Sequence, residues 1–131
     1  MNGAEVIVVD DMPDFTRNIK NILDLDDIGI KVFNEPEKFL DYSKREDFFS
    51  TKIIIMDYSM PNLNGFNVFQ RLFEIHPDSI NQYKMILYTA NIEQVDIKEK
   101  EYLESVNIEI IKKPNIQLII DKIYKKVNPC I

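Results

Sequence analysis

Ile53-Ile54-Ile55-Met56-Asp57 decides the fold: four apolar residues in a row stop at a lone acid. A run this short, apolar at every position and mostly β-branched, reads as a strand buried on both faces. The same pattern recurs on either side of it. Glu5-Val6-Ile7-Val8-Val9 stops at Asp10-Asp11, and Met85-Ile86-Leu87-Tyr88 stops at Thr89. Asn107-Ile108-Glu109-Ile110-Ile111 stops at Lys112-Lys113-Pro114, and Ile30-Lys31-Val32-Phe33 is a further short strand candidate.

Between these runs the apolar period changes to that of a helix. Pro13 suits a first helical turn, and Phe15, Ile19, Ile22 and Leu23 follow on one face. Asn34-Glu35-Pro36 reads as a helix start leading into Phe39 and Leu40. After the loop Met60-Pro61-Asn62-Leu63-Asn64-Gly65, a helix carries Phe66, Phe69, Leu72 and Phe73 and closes at His76-Pro77-Asp78. Ile92 to Leu103 forms a weak, highly charged helix candidate, whereas Ile116, Ile119, Ile120, Ile123 and Val127 make a clear helical stripe. Five strands alternating with five helices predict an α/β fold with a parallel sheet, and right-handed crossovers place helices on both faces.

Composition sets the outer limits. The chain has 131 residues, with 16 Lys and Arg against 22 Asp and Glu, a formal net charge of −6. With 45% hydrophobic and 29% charged residues it has the balance of a globular domain, and no repeat, linker or low-complexity segment divides it. Residues 1–131 read as one domain. The single Cys130 excludes an internal disulfide and Cys-based zinc sites, and the lone His76 excludes His-cluster metal sites. No apolar stretch approaches the roughly 18 residues of a membrane span. The N-terminus lacks the basic region and cleavage site of a secretion signal, so a reduced, cytoplasmic location is expected. The acidic balance argues against direct nucleic-acid binding, which needs a clustered basic face.

The chemistry lies where the strands stop. In an open parallel sheet, ligands bind beyond the carboxyl ends of the strands, where strand order reverses. Asp10, Asp11, Asp57, Thr89 and Lys113 would all converge at that edge. Three close carboxylates repel one another, and a hard divalent cation relieves them; Mg2+, with few protein ligands and several retained waters, fits best. Such a set suits phosphoryl transfer, which needs positioning and charge neutralisation more than covalent machinery. Asp57 stands alone ahead of the Pro61/Gly65 loop and is the natural nucleophile, with Asp10 and Asp11 holding the metal.

Each piece taken singly has a plainer reading. Asp57 alone is equally a strand-end cap, Asp10-Asp11 alone a solvated turn, Thr89 a common strand-end residue and Lys113 half of a surface pair. Gly65 reads as loop geometry, His76 as a helix-end residue suited to the dipole, and the Phe66/Phe69/Phe73 stripe as core. Lys98-Glu99-Lys100-Glu101 reads as a solvated helix face.

Together, in their order and spacing, these pieces resemble the receiver domain of two-component response regulators over essentially the whole chain. The matching residues are Asp10-Asp11, Asp57-Tyr58-Ser59-Met60-Pro61 with Gly65, Thr89-Ala90 and Lys113-Pro114. The resemblance implies a flavodoxin-like, doubly wound five-stranded parallel sheet in the order 2-1-3-4-5. It implies that Asp57 accepts a phosphoryl group from a phosphohistidine on a sensor histidine kinase or phosphotransfer protein, and that the aspartyl phosphate later hydrolyses. Asp11, Asp57 and the backbone carbonyl of Ser59 would bind Mg2+ directly, with Asp10 acting mainly through water. Lys113 would pair with the Asp57 carboxylate, and its bond to Pro114 would be cis. Thr89 would bond a phosphoryl oxygen and draw its loop inward, while Ser59 and Asn91 would tune dephosphorylation. The fourth helix, fifth strand and fifth helix would form the face for an output domain, a partner or a second copy.

One position departs from that pattern. Receivers usually carry Tyr or Phe three residues before the lysine, as a switch coupled to the threonine; here it is Ile110. Backbone movement alone, Tyr88 or Tyr102 are the substitutes available. Ile110 favours the principal rival, a binding module that works without phosphorylation. A haloacid dehalogenase-type phosphatase would want a second acid two residues after its nucleophile, where Ser59 stands. A flavin-binding protein of this fold would carry Ser, Thr and Gly after the first strand rather than acids.

Overall fold

The computed structural model describes residues 3–78 and 82–128; Cys130 lies outside the described residues. The strands are β1 (Val6–Val9), β2 (Ile30–Phe33), β3 (Ile53–Met56), β4 (Lys84–Thr89) and β5 (Ile108–Lys112). The helices are α1 (Pro13–Asp24), α2 (Pro36–Ser43), α3 (Gly65–Ile75), α4 (Ile97–Ser105) and α5 (Ile116–Val127). The strands form one sheet in the order β2-β1-β3-β4-β5, every neighbouring pair parallel. This is the flavodoxin-like α/β architecture. The order reverses between β1 and β3, whose four residues each are all buried.

Successive strand residues point to opposite faces, so each strand feeds two cores. Ile7, Val9, Ile54, Met56, Met85, Leu87 and Ile108 pack with Phe39, Phe69, Leu72 and Leu103 of α2, α3 and α4. Val6, Val8, Ile53, Ile55, Ile86, Tyr88 and Ile111 pack with Ile19, Leu23, Ile119 and Ile123 of α1 and α5. A strand in the middle of such a sheet leaves no face for polar residues; the polar residues collect at its ends. No helix among the described residues is long and apolar enough to cross a membrane.

Helix starts follow local chemistry. Pro13 and Pro36 occupy the first turns of α1 and α2. Asn64 caps α3 by accepting from the Asn67 amide at 2.8 Å. The fourth helix begins at Ile97 rather than Ile92. Residues Ile92–Gln94 form a 3-10 turn, Val95 is buried, and Asp96 and Glu99 make a reciprocal capping box that starts the helix. Leu103 is the one fully buried side chain in α4, which is why its apolar period is faint.

His76 does more than end a helix. Its Nε2 lies 2.6 Å from the Ser43 carbonyl oxygen and its ring stacks on Phe48 at 5.3 Å, clamping the end of α3 to the end of α2. Phe69 and Phe73 are core as expected. Phe66 instead sits at the core's edge, meeting Tyr102 of α4 edge-on at 5.4 Å.

Candidate functional site

The carboxyl ends of β1, β3, β4 and β5 meet in one place. Asp10 directly follows β1; its amide donates to the Phe33 carbonyl at 3.0 Å, so the sheet ladder fixes its backbone. Its Oδ1 accepts from the Met12 amide at 2.9 Å and its Oδ2 from Lys113 Nζ at 2.7 Å. Asp57 follows β3, held by its amide bond to the Val9 carbonyl at 2.8 Å. Both are almost fully buried, at 1% and 5% exposure. One carboxylate oxygen each from Asp10, Asp11 and Asp57 lie within 4.8 Å of one another.

Lys113 is brought in by β5 and a cis bond to Pro114, with its amide donating to the Thr89 carbonyl at 2.8 Å. Its Nζ sits 2.7 Å from Asp10 and 3.5 Å from Asp57 Oδ1. The expected pairing with Asp57 is therefore present, but Asp10 is the nearer partner. The ammonium also rests 5.5 Å from the ring centres of Phe15 and Tyr88, which are 5.2 Å apart. Two aromatic faces attract a cation and limit its reach. The Tyr88 hydroxyl accepts from the Asn115 amide at 2.7 Å and so fixes this cradle against the start of α5.

Three carboxylates against one ammonium leave an excess of negative charge, and two of the three, Asp10 and Asp57, are buried. Burial, chiefly, pushes the Asp57 carboxyl up to about 6; Asp10 and then Asp11 push the same way, while Lys113 opposes them. A divalent cation fits this donor set. The ligands are hard oxygens without a competing His or Cys, and the three come close enough together, within 4.8 Å of one another, to face a common ion.

Thr89 is buried beside them, its Oγ1 accepting from the Asn91 amide at 3.3 Å. Asn91 and Ser59 are exposed at the rim. The Ser59 hydroxyl donates to Gln94 Oε1 at 2.9 Å. Ile110 packs partly buried against the α2/α3/α4 core, on the opposite face of the sheet from Tyr88. Tyr88 therefore cannot stand in for an aromatic at 110; Tyr102 at least shares its face.

Gly65 has a reason that sequence reading missed. Its φ is not positive; space is what it provides. A Cβ there would lie 2.3 Å from the Asp57 carbonyl oxygen and 2.8 Å from Leu87 Cδ1. Its amide donates to the Tyr58 carbonyl at 2.9 Å, so the loop closes tightly behind Asp57. Tyr58 was missed as well. Its hydroxyl donates to Glu99 Oε1 at 2.8 Å across a sequence separation of 41 residues, a distance no local pattern reports. Burial and then that bond raise the Tyr58 hydroxyl to about 12, so it remains a donor.

The response regulator receiver domain family matches residues 6–124. The chain belongs to that family. Among solved structures it is similar to a CheY-like receiver domain protein from Methanospirillum hungatei (TM-score 0.75, 17% identity, 97% of this chain and 95% of that one). It is similar to a response regulator receiver domain protein from Clostridium thermocellum (TM-score 0.73, 22% identity, 96% and 95%). A third is the CheX-CheY-BeF3-Mg2+ complex from Borrelia burgdorferi (TM-score 0.71, 18% identity, 95% and 88%). No curated protein matches the sequence.

Proposed function

We propose that this chain is a cytoplasmic phosphoacceptor, residues 1–131 forming one receiver domain, that switches a partner-binding face. The observation that carries this reading is the buried Asp57 carboxylate, in reach of Lys113 and grouped with Asp10 and Asp11 at the sheet's switch point. An Asp57 carboxylate oxygen attacks phosphorus, the P–N bond to a donor phosphohistidine breaks, and the leaving imidazole nitrogen takes a proton from water. Later, water attacks phosphorus and releases phosphate and the Asp57 carboxylate. The protein thus catalyses changes to itself and does not turn over a free substrate.

Asp11, Asp57 and the Ser59 carbonyl would hold Mg2+, with Asp10 through water; when bound, the ion neutralises charge on the phosphoryl oxygens. Lys113 offsets the remaining charge, held in place by Phe15 and Tyr88. Thr89 supplies a hydroxyl to a phosphoryl oxygen, and Ser59 and Asn91 at the rim control water access. A sensor histidine kinase or phosphotransfer protein is the donor. The face of α4, β5 and α5 receives an output domain, a partner or a second copy. The Borrelia relative, solved as a CheY with CheX, BeF3 and Mg2+, supports both the metal and the partner. Ile110 favours the second reading, a module that binds its partner without phosphorylation.

Intact mass after incubation with acetyl phosphate decides between them. A single phosphoryl adduct that needs Mg2+ and vanishes in Asp57→Asn is the expected result. Absence of an adduct, together with failure to bind beryllofluoride, would leave the binding module.

A further inference from the structure

The two residues after Asp57 both reach across to the segment that opens α4. Tyr58 donates to Glu99 Oε1 at 2.8 Å, and Ser59 donates to Gln94 Oε1 at 2.9 Å. The same Glu99 Oε1 accepts from the Asp96 amide at 3.2 Å, while Asp96 Oδ1 accepts from the Glu99 amide at 2.9 Å. One oxygen atom therefore serves the capping box of α4 and the tether to Tyr58 together.

We propose that Tyr58 links the state of Asp57 to α4, holding the helix start in place while Asp57 is unmodified and releasing it when the site is loaded. The proposal rests on Asp57 being the phosphoacceptor and names how that site is read out.

Three features support it. First, Tyr58 is held at both ends: its carbonyl accepts from the Gly65 amide at 2.9 Å and its hydroxyl accepts from Asn64 Nδ2 at 3.3 Å. Asn64 in turn caps α3, so displacement at residue 57 or 58 passes to the hydroxyl rather than being absorbed. Second, the apolar anchorage within α4 lies toward its C-terminal half, at Leu103 and the partly buried Tyr102, so the charge-assisted bond at Glu99 contributes to holding its first turn. Third, Ile110 has no polar group to relay movement, and Tyr88 faces the other layer. Loading would draw Thr89 toward Asp57, and the segment beyond it follows because the Asn91 amide is bonded to Thr89 Oγ1. A shift of under an ångström between residues 58–59 and 94–99 is enough to break bonds of this length.

Hydrogen exchange on the full chain tests this, with and without Mg2+ and beryllofluoride as a stable phosphoryl mimic. A lost charge-assisted bond changes an opening equilibrium about tenfold or more. In the wild type, loading should speed exchange across residues 92–105 about tenfold. In Tyr58→Phe that segment should already exchange at the loaded rate and show no further response, while residues 53–60 still respond to the mimic. Glu99→Gln, which keeps a neutral acceptor, should fall between the two. A loading response across 92–105 in Tyr58→Phe equal to the wild type's would overturn the link. If residues 53–60 respond in neither protein and no beryllofluoride adduct forms, the phosphoacceptor reading fails and the link with it.

Discussion

Lys113 holds Asp10 more closely than it holds Asp57, at 2.7 Å against 3.5 Å. The lysine is thus anchored beside Asp57 rather than on it. The lysine is the one cation within salt-bridge reach of these two buried acids among the described residues. Lys113→Ala should lower stability at pH 7 by about 3 kcal/mol, the usual cost of stranding a buried charge. It should also move the Asp57 titration above about 6. Urea unfolding and a carboxyl-carbon NMR titration would check the two parts; an unchanged titration would show that Lys113 does not act on Asp57.

The sign of the Asp57 shift gives a second prediction. Burial raises its pKa from 3.8 to about 6, so between these values the folded state holds a proton that the unfolded chain has released. Stability from this group is present below about pH 4 and is lost as pH rises through about 6. Removing the charge should therefore help at neutral pH. In metal-free buffer, Asp57→Asn should gain up to about 3 kcal/mol at pH 7 and nothing at pH 4. Denaturation curves at the two pH values would settle it, and an equal effect at both would contradict the assigned shift.

Metal binding should carry the same titration. Mg2+ needs the Asp57 carboxylate ionised, so below about pH 6 its affinity should fall roughly tenfold per pH unit. Calorimetry at pH 6 in buffers of different ionisation enthalpy should detect proton release on binding. Asp11→Asn should weaken binding at every pH, whereas pH-independent affinity in the wild type would remove Asp57 from the ligand set.

Gly65→Ala tests how tightly the loop closes behind Asp57. With the Asp57 carbonyl oxygen 2.3 Å from the new Cβ, the backbone must shift, and a loss of about 2–3 kcal/mol is expected for overpacking without room. Adduct formation with acetyl phosphate should slow in parallel. A stable variant with unimpaired adduct formation would show that the loop has slack.

The parts legible in the sequence were those that repeat locally. Runs such as Ile53 to Met56 advertise a strand buried on both faces, and an acid or lysine at the end of each run advertises the edge where they meet. That much places Asp10, Asp57, Thr89 and Lys113 in one region. What escaped depends on distance in the chain or on atoms too close to infer. The α4 start at Ile97 was hidden because apolar period is weak in a helix with Leu103 as its fully buried residue, although Asp96 and Glu99 were a readable capping signal. The Tyr58–Glu99 bond, the preference of Lys113 for Asp10 and the contact that requires Gly65 are all facts of three dimensions.

The sheet itself is a partition. Lys113 is cradled from one side, by Phe15 and Tyr88 in the layer of α1 and α5, while Tyr58 and Glu99 act in the layer of α3 and α4. On the proposed reading, sequence drift in one layer retunes how fast the site is loaded and cleared, and drift in the other changes which surface hears about it. A lineage can thus exchange its listeners without relearning its chemistry.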